Sequence, residues 1–324
     1  MPEKTHTPHK ADAPGSAYFL GLDGGGTKTD CVLVNAAGKT LARSTAGPSN
    51  PIRAGYAKAW FTLSDAADVV LEHQNIKAGD IRGIYAGIGG AGREVVARRI
   101  ATFLENAFPE AAVTVTTDLA ITLQAAVGDG EGITLVIGTG SAAYGRDDRG
   151  ETARAGGRGP WFSDEGSAFD IGRRALSAVV RAEEGRGPDT ALSERILKWL
   201  GCSEWNRVLD WVVKNPDDVF PRVFPLVAEL GDKGDPVCRA ILSNAAKSLA
   251  ELVASVLARL NMTGREVPIA KAGGTVGRSS YFDGAIDEGV RRVAPRARLT
   301  ILQMKPAEAA AQLAIRSGQR KAHA

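Results

Sequence analysis

The sequence contains little cysteine and histidine, and these residues are scattered. Its three cysteines, Cys31, Cys202 and Cys238, lie far apart and form no Cys-x-x-Cys pair, which excludes a disulfide framework and the common zinc and redox motifs. The four histidines fall near the ends of the chain or at a polar helix end, so a histidine-based metal site or triad is not expected. This pattern fits a reducing, cytoplasmic environment.

Excess charge of one sign and long apolar runs are also missing. The chain has 40 basic and 37 acidic side chains, a net charge of +3, and no long basic run, so nucleic acid is not an expected partner. We find no apolar run of the roughly 18 residues that a membrane span needs, and the polar residues 1–16 contain no signal-peptide core. We therefore expect a soluble protein without a membrane partner.

The length of 324 residues corresponds to roughly two domains of about 150 residues. With 44% hydrophobic and 24% charged residues, the composition is globular and excludes disordered and coiled-coil classes. We predict a disordered tail over 1–17 and an N-terminal lobe over 18–118 plus about 305–317. A C-terminal lobe with a helical insertion is predicted over 119–304, followed by a tail over 318–324.

Glycine is abundant, with 38 residues, and its placement indicates a repeat. The apolar strand Tyr18–Leu22 leads into a glycine turn and a hairpin, and so does the strand Thr134–Ile137. Four residues recur 112 positions later: Gly26, Thr27, Gly38 and Thr40 correspond to Gly138, Thr139, Gly150 and Thr152. The constant offset predicts two copies of one supersecondary unit, with coincidence between two glycine-rich hairpins as the alternative.

Predicted strands and helices alternate along the chain. Ile81–Ile88 is predicted as a buried strand, Glu94–Ala107 as a helix, and Val113–Thr117 as a strand that stops at Asp118. After the second hairpin, helices are predicted over 167–183, 190–200, 204–214 and 237–260, followed by a strand over 267–272. This alternation favours an α/β fold with a mostly parallel core.

Glycine turns at strand ends are predicted to hold phosphate groups. In the run from Asp23 to Lys28, the consecutive glycines Gly24, Gly25 and Gly26 let backbone amides approach an anion. Asp23 can hold Mg²⁺, and Thr27 and Lys28 can reach phosphate oxygens. The pattern is neither a Walker A loop nor a Rossmann fingerprint, and a tight hairpin is the purely structural alternative. Two further glycine turns favour nucleotide binding. One contains Gly138, Thr139 and Gly140, and the other contains Gly273 and Gly274.

Five motifs in this order resemble the N-acetylglucosamine kinases of the BadF-type ATPase group, within the sugar kinase, Hsp70 and actin superfamily. They are residues 23–29, the strand end at Asp118, residues 138–141, Asp164-Glu165-Gly166-Ser167, and Ala272-Gly273-Gly274. The resemblance spans residues 18 to 316. It implies two ribonuclease H-like lobes, each a mixed five-stranded sheet with flanking helices, that close over Mg²⁺, ATP and a sugar. It also implies a homodimer.

The resemblance assigns roles to single residues. Asp118 would be the catalytic base that accepts the proton of the sugar 6-hydroxyl, although an aspartate at this position could equally be a helix N-cap. The predicted sugar-binding residues are Asn50, Ser141, Gly156, Gly157 and Asp164.

The sequence departs from the family at one place in the predicted sugar pocket. It has Gly157-Arg158-Gly159 where the family often has Gly-Trp-Gly, and the aromatic residue is displaced to Trp161. This departure leaves the identity of the sugar open.

The resulting hypothesis is an ATP-dependent kinase that phosphorylates the 6-hydroxyl of N-acetylglucosamine or glucosamine, with N-acetylmuramic acid and glucose also open. One alternative is an activator ATPase of a CoA-thioester dehydratase or reductase, which would need cluster-binding cysteines on a dimer face. Another is a nucleotide-dependent switch protein that acts through a partner.

Overall fold

A computed structural model describes residues 17–322, apart from the side chains of Asn206, Leu209 and residues 320–322. The chain divides into two compact units. Unit 1 comprises the residues up to Gly128 and from Gln303 onward, and unit 2 comprises Asp129–Leu302. The predicted N-terminal tail lies outside the described residues except for Ala17.

The sheet of unit 1 has the strand order β3-β2-β1-β4-β5. Strand β1 pairs antiparallel with β2 and parallel with β4, which pairs parallel with β5. The carboxyl ends of β1, β4 and β5 therefore lie along one edge, where α/β proteins bind ligands. The strands are β1 (Tyr18–Gly24), β2 (Thr29–Asn35), β3 (Thr40–Ala46), β4 (Ile81–Ile88) and β5 (Ala112–Thr116).

Helices cover the sheet of unit 1, and the last of them comes from the distant segment of the chain. They are α1 (Pro51–Ala54), α2 (Tyr56–Gln74), α3 (Glu94–Ala107), α4 (Asp118–Val127) and α11 (Pro306–Ala322), with a 3-10 turn at Ala78–Asp80. Helix α11 packs so closely on β1 that a Cβ atom at Gly21 would collide with the backbone of Ala307 and Ala311. The small residues of α11 permit this approach.

The sheet of unit 2 repeats that of unit 1, with the strand order β10-β9-β6-β7-β8. Thr40 and Thr152 both begin the third strand, and Gly38 and Gly150 both adopt positive φ, at 78° and 86°. The strands are β6 (Gly132–Ile137), β7 (Ser141–Arg146), β8 (Thr152–Gly156), β9 (Pro268–Ala272) and β10 (Arg298–Ile301). The two mixed five-stranded sheets confirm the predicted fold class.

The helices of unit 2 include one long apolar helix. They are α5 (Ala168–Glu183), α6 (Leu192–Leu200), α7 (Trp205–Lys214), α8 (Pro216–Asp232), α9 (Pro236–Arg259) and α10 (Ser280–Val293). Helix α9 is long and apolar enough on average to span a membrane, although Arg239, Lys247 and Glu251 interrupt its apolar residues. Its apolar side chains, including Leu242, Leu249 and Val253, pack in the core of unit 2.

The division of the chain differs from the predicted boundaries. Unit 1 includes helix α4, because the side chain of Ile121 packs directly against Gly87 of β4. The segment predicted as a tail from residue 318 instead continues helix α11 to Ala322. Gly318 lies against Phe19 of β1, so this part of the segment packs on the sheet.

Candidate functional site

Two predicted site residues of unit 1 meet at the end of β4. A Cβ atom on Gly89 would lie 3.0 Å from Nδ2 of Asn50 and 3.4 Å from Oδ2 of Asp118. Gly89 itself is held at the end of β1, because its N–H donates to the Gly24 carbonyl at 2.7 Å. The absence of a side chain at Gly89 therefore leaves space between an amide and a carboxylate at the carboxyl edge of the sheet.

The segment around Asn50, a residue predicted to bind the sugar, is hydrogen-bonded to the glycine turn at residues 24–26, which is predicted to bind phosphate. The Gly25 carbonyl accepts hydrogen bonds from the N–H groups of Ser49, at 3.1 Å, and Asn50, at 3.0 Å. The Thr29 hydroxyl donates to Gly47 O at 2.8 Å, and its oxygen is hydrogen-bonded to the Ser49 hydroxyl at 2.7 Å. These bonds fix Asn50 relative to the glycine turn before any ligand binds.

Asp23 lies at the end of β1, next to Gly24. Burial, with the negative charges of Asp118 and Asp30, raises the pKa of Asp23 to about 7, against a smaller opposing effect of Lys28. A carboxyl group that is buried beside other acidic groups ionises at a low cost in free energy only when a cation lies near it. Its chemistry therefore fits the predicted magnesium role.

Lys28, predicted to reach phosphate, is engaged elsewhere in this structure. Its Nζ atom lies 2.5 Å from Oδ2 of Asp30, and Asp30 also accepts a hydrogen bond from the Thr45 hydroxyl at 2.7 Å. Burial raises the pKa of Asp30, but the bonds from Lys28 and Thr45 outweigh it and hold the pKa below its ordinary value. The lysine thus stabilises the hairpin.

The hydrogen bonds at the start of α4 show whether Asp118 is the helix N-cap or is available for the predicted role of catalytic base. Thr117 is the N-cap, and its side chain accepts a hydrogen bond from the Ala120 N–H at 3.1 Å. Asp118 is the first helical residue, and its Oδ1 atom accepts from the Leu119 N–H at 3.0 Å. The capping function therefore belongs to Thr117, which leaves Oδ2 of Asp118 facing Gly89.

In unit 2, the second and third glycine turns are joined at the ends of β6 and β9. The Ile137 carbonyl accepts from the Thr275 hydroxyl at 2.7 Å and from the Thr275 N–H at 3.2 Å. Gly273 has a φ of 109°, and a Cβ atom there would collide with Ile137. A Cβ atom on Gly138 would lie 4.0 Å from the Gly274 N–H group. The predicted nucleotide residues of unit 2 are therefore neighbours.

The predicted sugar residue Asp164 lies against the second turn. Asp164 is buried and has a φ of 64°, a conformation that is uncommon outside glycine and concentrates at functional sites. A Cβ atom on Gly140 would lie only 2.8 Å from Oδ2 of Asp164. The N–H groups of Ala168 and Phe169 donate to the Gly138 and Thr139 carbonyls at 2.9 and 3.4 Å. The two predicted loops are thus one hydrogen-bonded assembly.

Gly156 and Gly157 form the corner after β8, next to the same assembly. Both have positive φ, 75° and 68°, and a Cβ atom on Gly156 would lie 2.8 Å from the Ser141 carbonyl. Arg154 donates to the carbonyls of both glycines. The following residue, Arg158, is exposed. Arg154 therefore shapes the corner, and Arg158 extends from it.

Ser141 was predicted to bind the sugar, but its hydroxyl donates to the Glu165 carbonyl at 2.6 Å. We expect Ser141→Ala to lower the free energy of unfolding by about 1–2 kcal/mol, because a carbonyl loses its partner. The sugar KM should rise roughly 5- to 30-fold, equivalent to about 1–2 kcal/mol, as the turn carrying Asp164 loosens. Thermal unfolding and steady-state kinetics test both effects.

Ser163→Ala is the matched control, because the Ser163 side chain makes no hydrogen bond in the described part of the chain. It should change neither stability nor KM substantially. A rise in KM for Ser141→Ala without loss of stability would instead support a direct sugar contact.

Some residues of these sites were not found from the sequence. Gly89 and Arg53, which lies against Gly26 of the glycine turn, belong to unit 1, and Asp170 belongs to unit 2. Oδ2 of Asp170 accepts from the Gly166 N–H at 3.0 Å and is paired with Arg174 at 2.9 Å, so it holds the turn after Asp164. The glycine run after β4 was a visible signal for Gly89, whereas Arg53 and Asp170 carried none.

The described residues hold no cluster of three or more histidine, cysteine or acidic side chains with metal-binding geometry. This is compatible with Mg²⁺, which usually takes one or two carboxylates, waters and substrate phosphates. The cysteines fit a cluster site poorly. Cys31 and Cys238 are buried, and burial raises the pKa of Cys31 to about 12.

The chain is similar in sequence to proteins named as sugar kinases. A Dictyostelium discoideum protein named N-acetyl-D-glucosamine kinase is 28% identical over 92% of this chain and 98% of its own. A Clostridium acetobutylicum protein named N-acetylmuramic acid/N-acetylglucosamine kinase is 29% identical over 82% of this chain and 87% of its own.

Solved structures share the fold. The structure of a candidate N-acetylglucosamine kinase from Chromobacterium violaceum is 28% identical, covers 93% of this chain and 99% of its own, and has a TM-score of 0.77. A ROK family glucokinase from Streptomyces griseus, in complex with glucose and AMPPNP, is 15% identical and has a TM-score of 0.62. The match covers 93% of this chain and 100% of the glucokinase chain. The BadF/BadG/BcrA/BcrD ATPase family matches residues 20–314. The chain therefore belongs to this family.

Proposed function

We propose that this protein is an ATP-dependent amino-sugar kinase that phosphorylates the 6-hydroxyl of N-acetylglucosamine or glucosamine. The observation that carries the proposal is the convergence of Asp118 and Asn50 at Gly89, beside the glycine turn of unit 1. Relatives named for kinase activity on N-acetylglucosamine, N-acetylmuramic acid and glucosamine support the substrate class.

Asp118 acts as the general base in this proposal. It takes the proton from the sugar 6-hydroxyl while the oxygen forms a bond to the γ-phosphorus of ATP. The bond between that phosphorus and the β,γ-bridging oxygen breaks, and ADP leaves. Asn50, which lies beside Gly89 as Asp118 does, orients the sugar, and Asp164 hydrogen-bonds sugar hydroxyls.

The glycine turns bind the phosphates in this proposal. Backbone N–H groups of residues 24–26 and 138–140 bind phosphate oxygens, and the turn at 273–274 binds the nucleoside. Asp23 would hold Mg²⁺, which neutralises charge on the phosphates when bound. Phosphoryl transfer depends chiefly on positioning and charge neutralisation, and these residue types supply both.

The test is ADP release with Mg-ATP across a panel of hexoses and amino sugars. We expect one amino sugar to stimulate ADP release strongly, and its 6-deoxy analogue to bind without stimulating. A phosphorylated 6-deoxy sugar would contradict the position of transfer. Slow ATP turnover that no sugar changes would contradict the kinase and favour the activator or switch function.

A further inference from the structure

Arg53 lies across the glycine turn of unit 1. A Cβ atom on Gly26 would lie 3.2 Å from both Cδ and Nη1 of Arg53, so the arginine side chain runs over the backbone of the turn where a larger residue would displace it. Arg53 is exposed to solvent, so the guanidinium is accessible to a dissolved anion. The turn and the arginine together present amides and a cation on one surface.

The segment that carries Arg53 is fixed to the same turn. Helix α1 begins after Asn50, whose Oδ1 atom accepts from the Ile52 N–H at 3.0 Å. The backbone N–H groups of Ser49 and Asn50 are bonded to Gly25. Arg53 therefore occupies a defined position beside the turn, which reduces the entropy lost when it binds an anion.

The turn needs a cation, because its charged neighbours are mainly acidic. Asp118 and Asp30 both act on the buried Asp23 as nearby negative charges, and a polyphosphate would add further negative charge. Lys28 is committed to Asp30 through a 2.5 Å ion pair. Moving it to a phosphate would break that pair and leave Asp30 with the Thr45 hydroxyl and the charge of Lys305.

We propose that Arg53, rather than Lys28, is the side chain that binds the terminal phosphates of the phosphoryl donor at this turn. This inference rests on the proposed kinase function. The planar guanidinium presents several donors in a fixed fork that matches phosphate oxygens. As charge redistributes during transfer, a positioned cation stabilises the transition state more than the ground state.

The experiment compares Arg53→Gln, Arg53→Lys and Lys28→Gln by steady-state kinetics and by calorimetric titration with ADP and AMPPNP. Arg53→Gln should lower kcat/KM for ATP by roughly 10²-fold, the size of the loss for one such charge-stabilising group. It should weaken AMPPNP binding more than ADP binding. Arg53→Lys should recover part of the loss, and Lys28→Gln should cause a smaller loss than Arg53→Gln.

Arg98→Gln is the matched control, because Arg98 is an exposed arginine of unit 1 whose ion pair is with Glu94 one turn away on α3. It should leave kinetics and binding unchanged. The melting temperature of Arg53→Gln should stay close to that of the wild type, because the side chain is exposed. A large fall would assign Arg53 a structural role and overturn the proposal.

Gly26→Ala gives an independent readout, because its Cβ atom would crowd the Arg53 side chain, 3.2 Å from both Cδ and Nη1. If Arg53 acts at the turn, the losses from Gly26→Ala and Arg53→Gln should be clearly less than additive in the double variant. Full additivity would contradict the proposal.

Failure of this inference can be told apart from failure of the kinase function. If wild-type protein shows no sugar-dependent ADP release but Arg53→Gln still weakens AMPPNP binding, the kinase function fails and the role of Arg53 stands. If the wild type is a kinase and Arg53→Gln matches it in kinetics and binding, Arg53 has no such role. Wild-type protein that does not bind AMPPNP would overturn both.

Discussion

Asp118→Asn is expected to lower kcat for sugar-dependent ADP release by roughly 10²- to 10⁴-fold, the usual contribution of a general base. Asparagine cannot take the proton from the 6-hydroxyl, but its Oδ1 atom can still accept from the Leu119 N–H, as Asp118 does at 3.0 Å. The fold and ADP affinity should therefore persist. The measurement is kcat with saturating ATP and sugar, together with calorimetric ADP binding.

Thr117→Ala is the control that separates catalysis from helix capping. Removing the side-chain oxygen that accepts from Ala120 should cost about 1 kcal/mol of stability while leaving most of kcat. If Asp118→Asn kept kcat within tenfold of the wild type, or if Thr117→Ala reduced kcat as severely, Asp118 would not be the base.

Asp23→Asn should have opposite effects on activity and on the stability of the metal-free protein. Loss of the carboxylate should abolish most sugar-dependent ADP release, because the predicted magnesium ligand is gone. At pH 8, without metal or nucleotide, the variant should be more stable than the wild type by on the order of 2–4 kcal/mol, given about 1.4 kcal/mol per pKa unit. Thermal or urea unfolding with a chelator present measures the difference.

The higher stability expected for Asp23→Asn at pH 8 follows from proton linkage. The pKa of Asp23 is raised from 3.8 to about 7 by burial, with further contributions from Asp118 and Asp30. The folded protein therefore holds a proton that the unfolded chain has released, and wild-type stability falls as the pH rises from about 4 to 7. Below pH 4 both states are protonated, so the advantage of Asp23→Asn should disappear.

Asp30→Asn is the matched control within the same hairpin, since Asp30 pairs with Asp23 across β1 and β2. Its pKa is held low despite burial by Lys28 and Thr45. Asp30→Asn should therefore destabilise the protein at pH 8, in contrast to Asp23→Asn. Equal destabilisation by both variants would contradict the assigned electrostatics of Asp23.

The repeated hairpins could be predicted from the sequence because their determinants are local. A glycine turn after an apolar strand, and a second turn at Gly38 or Gly150, specify the backbone whatever surrounds them. Helix α3 was predicted at its observed bounds, Glu94–Ala107, since its apolar residues follow a clear helical period.

Helix α8 could not be predicted in the same way. It runs from Pro216 to Asp232 with Pro221 and Pro225 inside it, and a proline in a helix interior removes a hydrogen bond. Its stability comes from tertiary packing: Phe220, which contacts Phe169 at 4.9 Å between ring centroids, lies in the core of unit 2. Such packing has no local signature.

The site residues also divide into those that local sequence patterns predict and those that depend on tertiary contacts. Asp118 and the glycine turns stand at strand ends, where sequence patterns indicate ligands. The contact of Arg53 with Gly26 and the bond from Ser141 to Glu165 depend on how separate segments come together. Residue type favoured Lys28 as a phosphate ligand, and the family resemblance favoured a sugar contact for Ser141. Neither shows which polar groups already have hydrogen-bond partners within the fold.

The discontinuity of unit 1 has a consequence for biosynthesis. Helix α11 packs on β1 through Ala307 and Ala311, yet the ribosome adds it only after all of unit 2 has been made. Unit 2 is continuous and can fold while translation proceeds. Unit 1, which contains Asp23, Asn50 and Asp118, begins to be synthesised first but is completed last, and until then helix α11 cannot cover its face of β1.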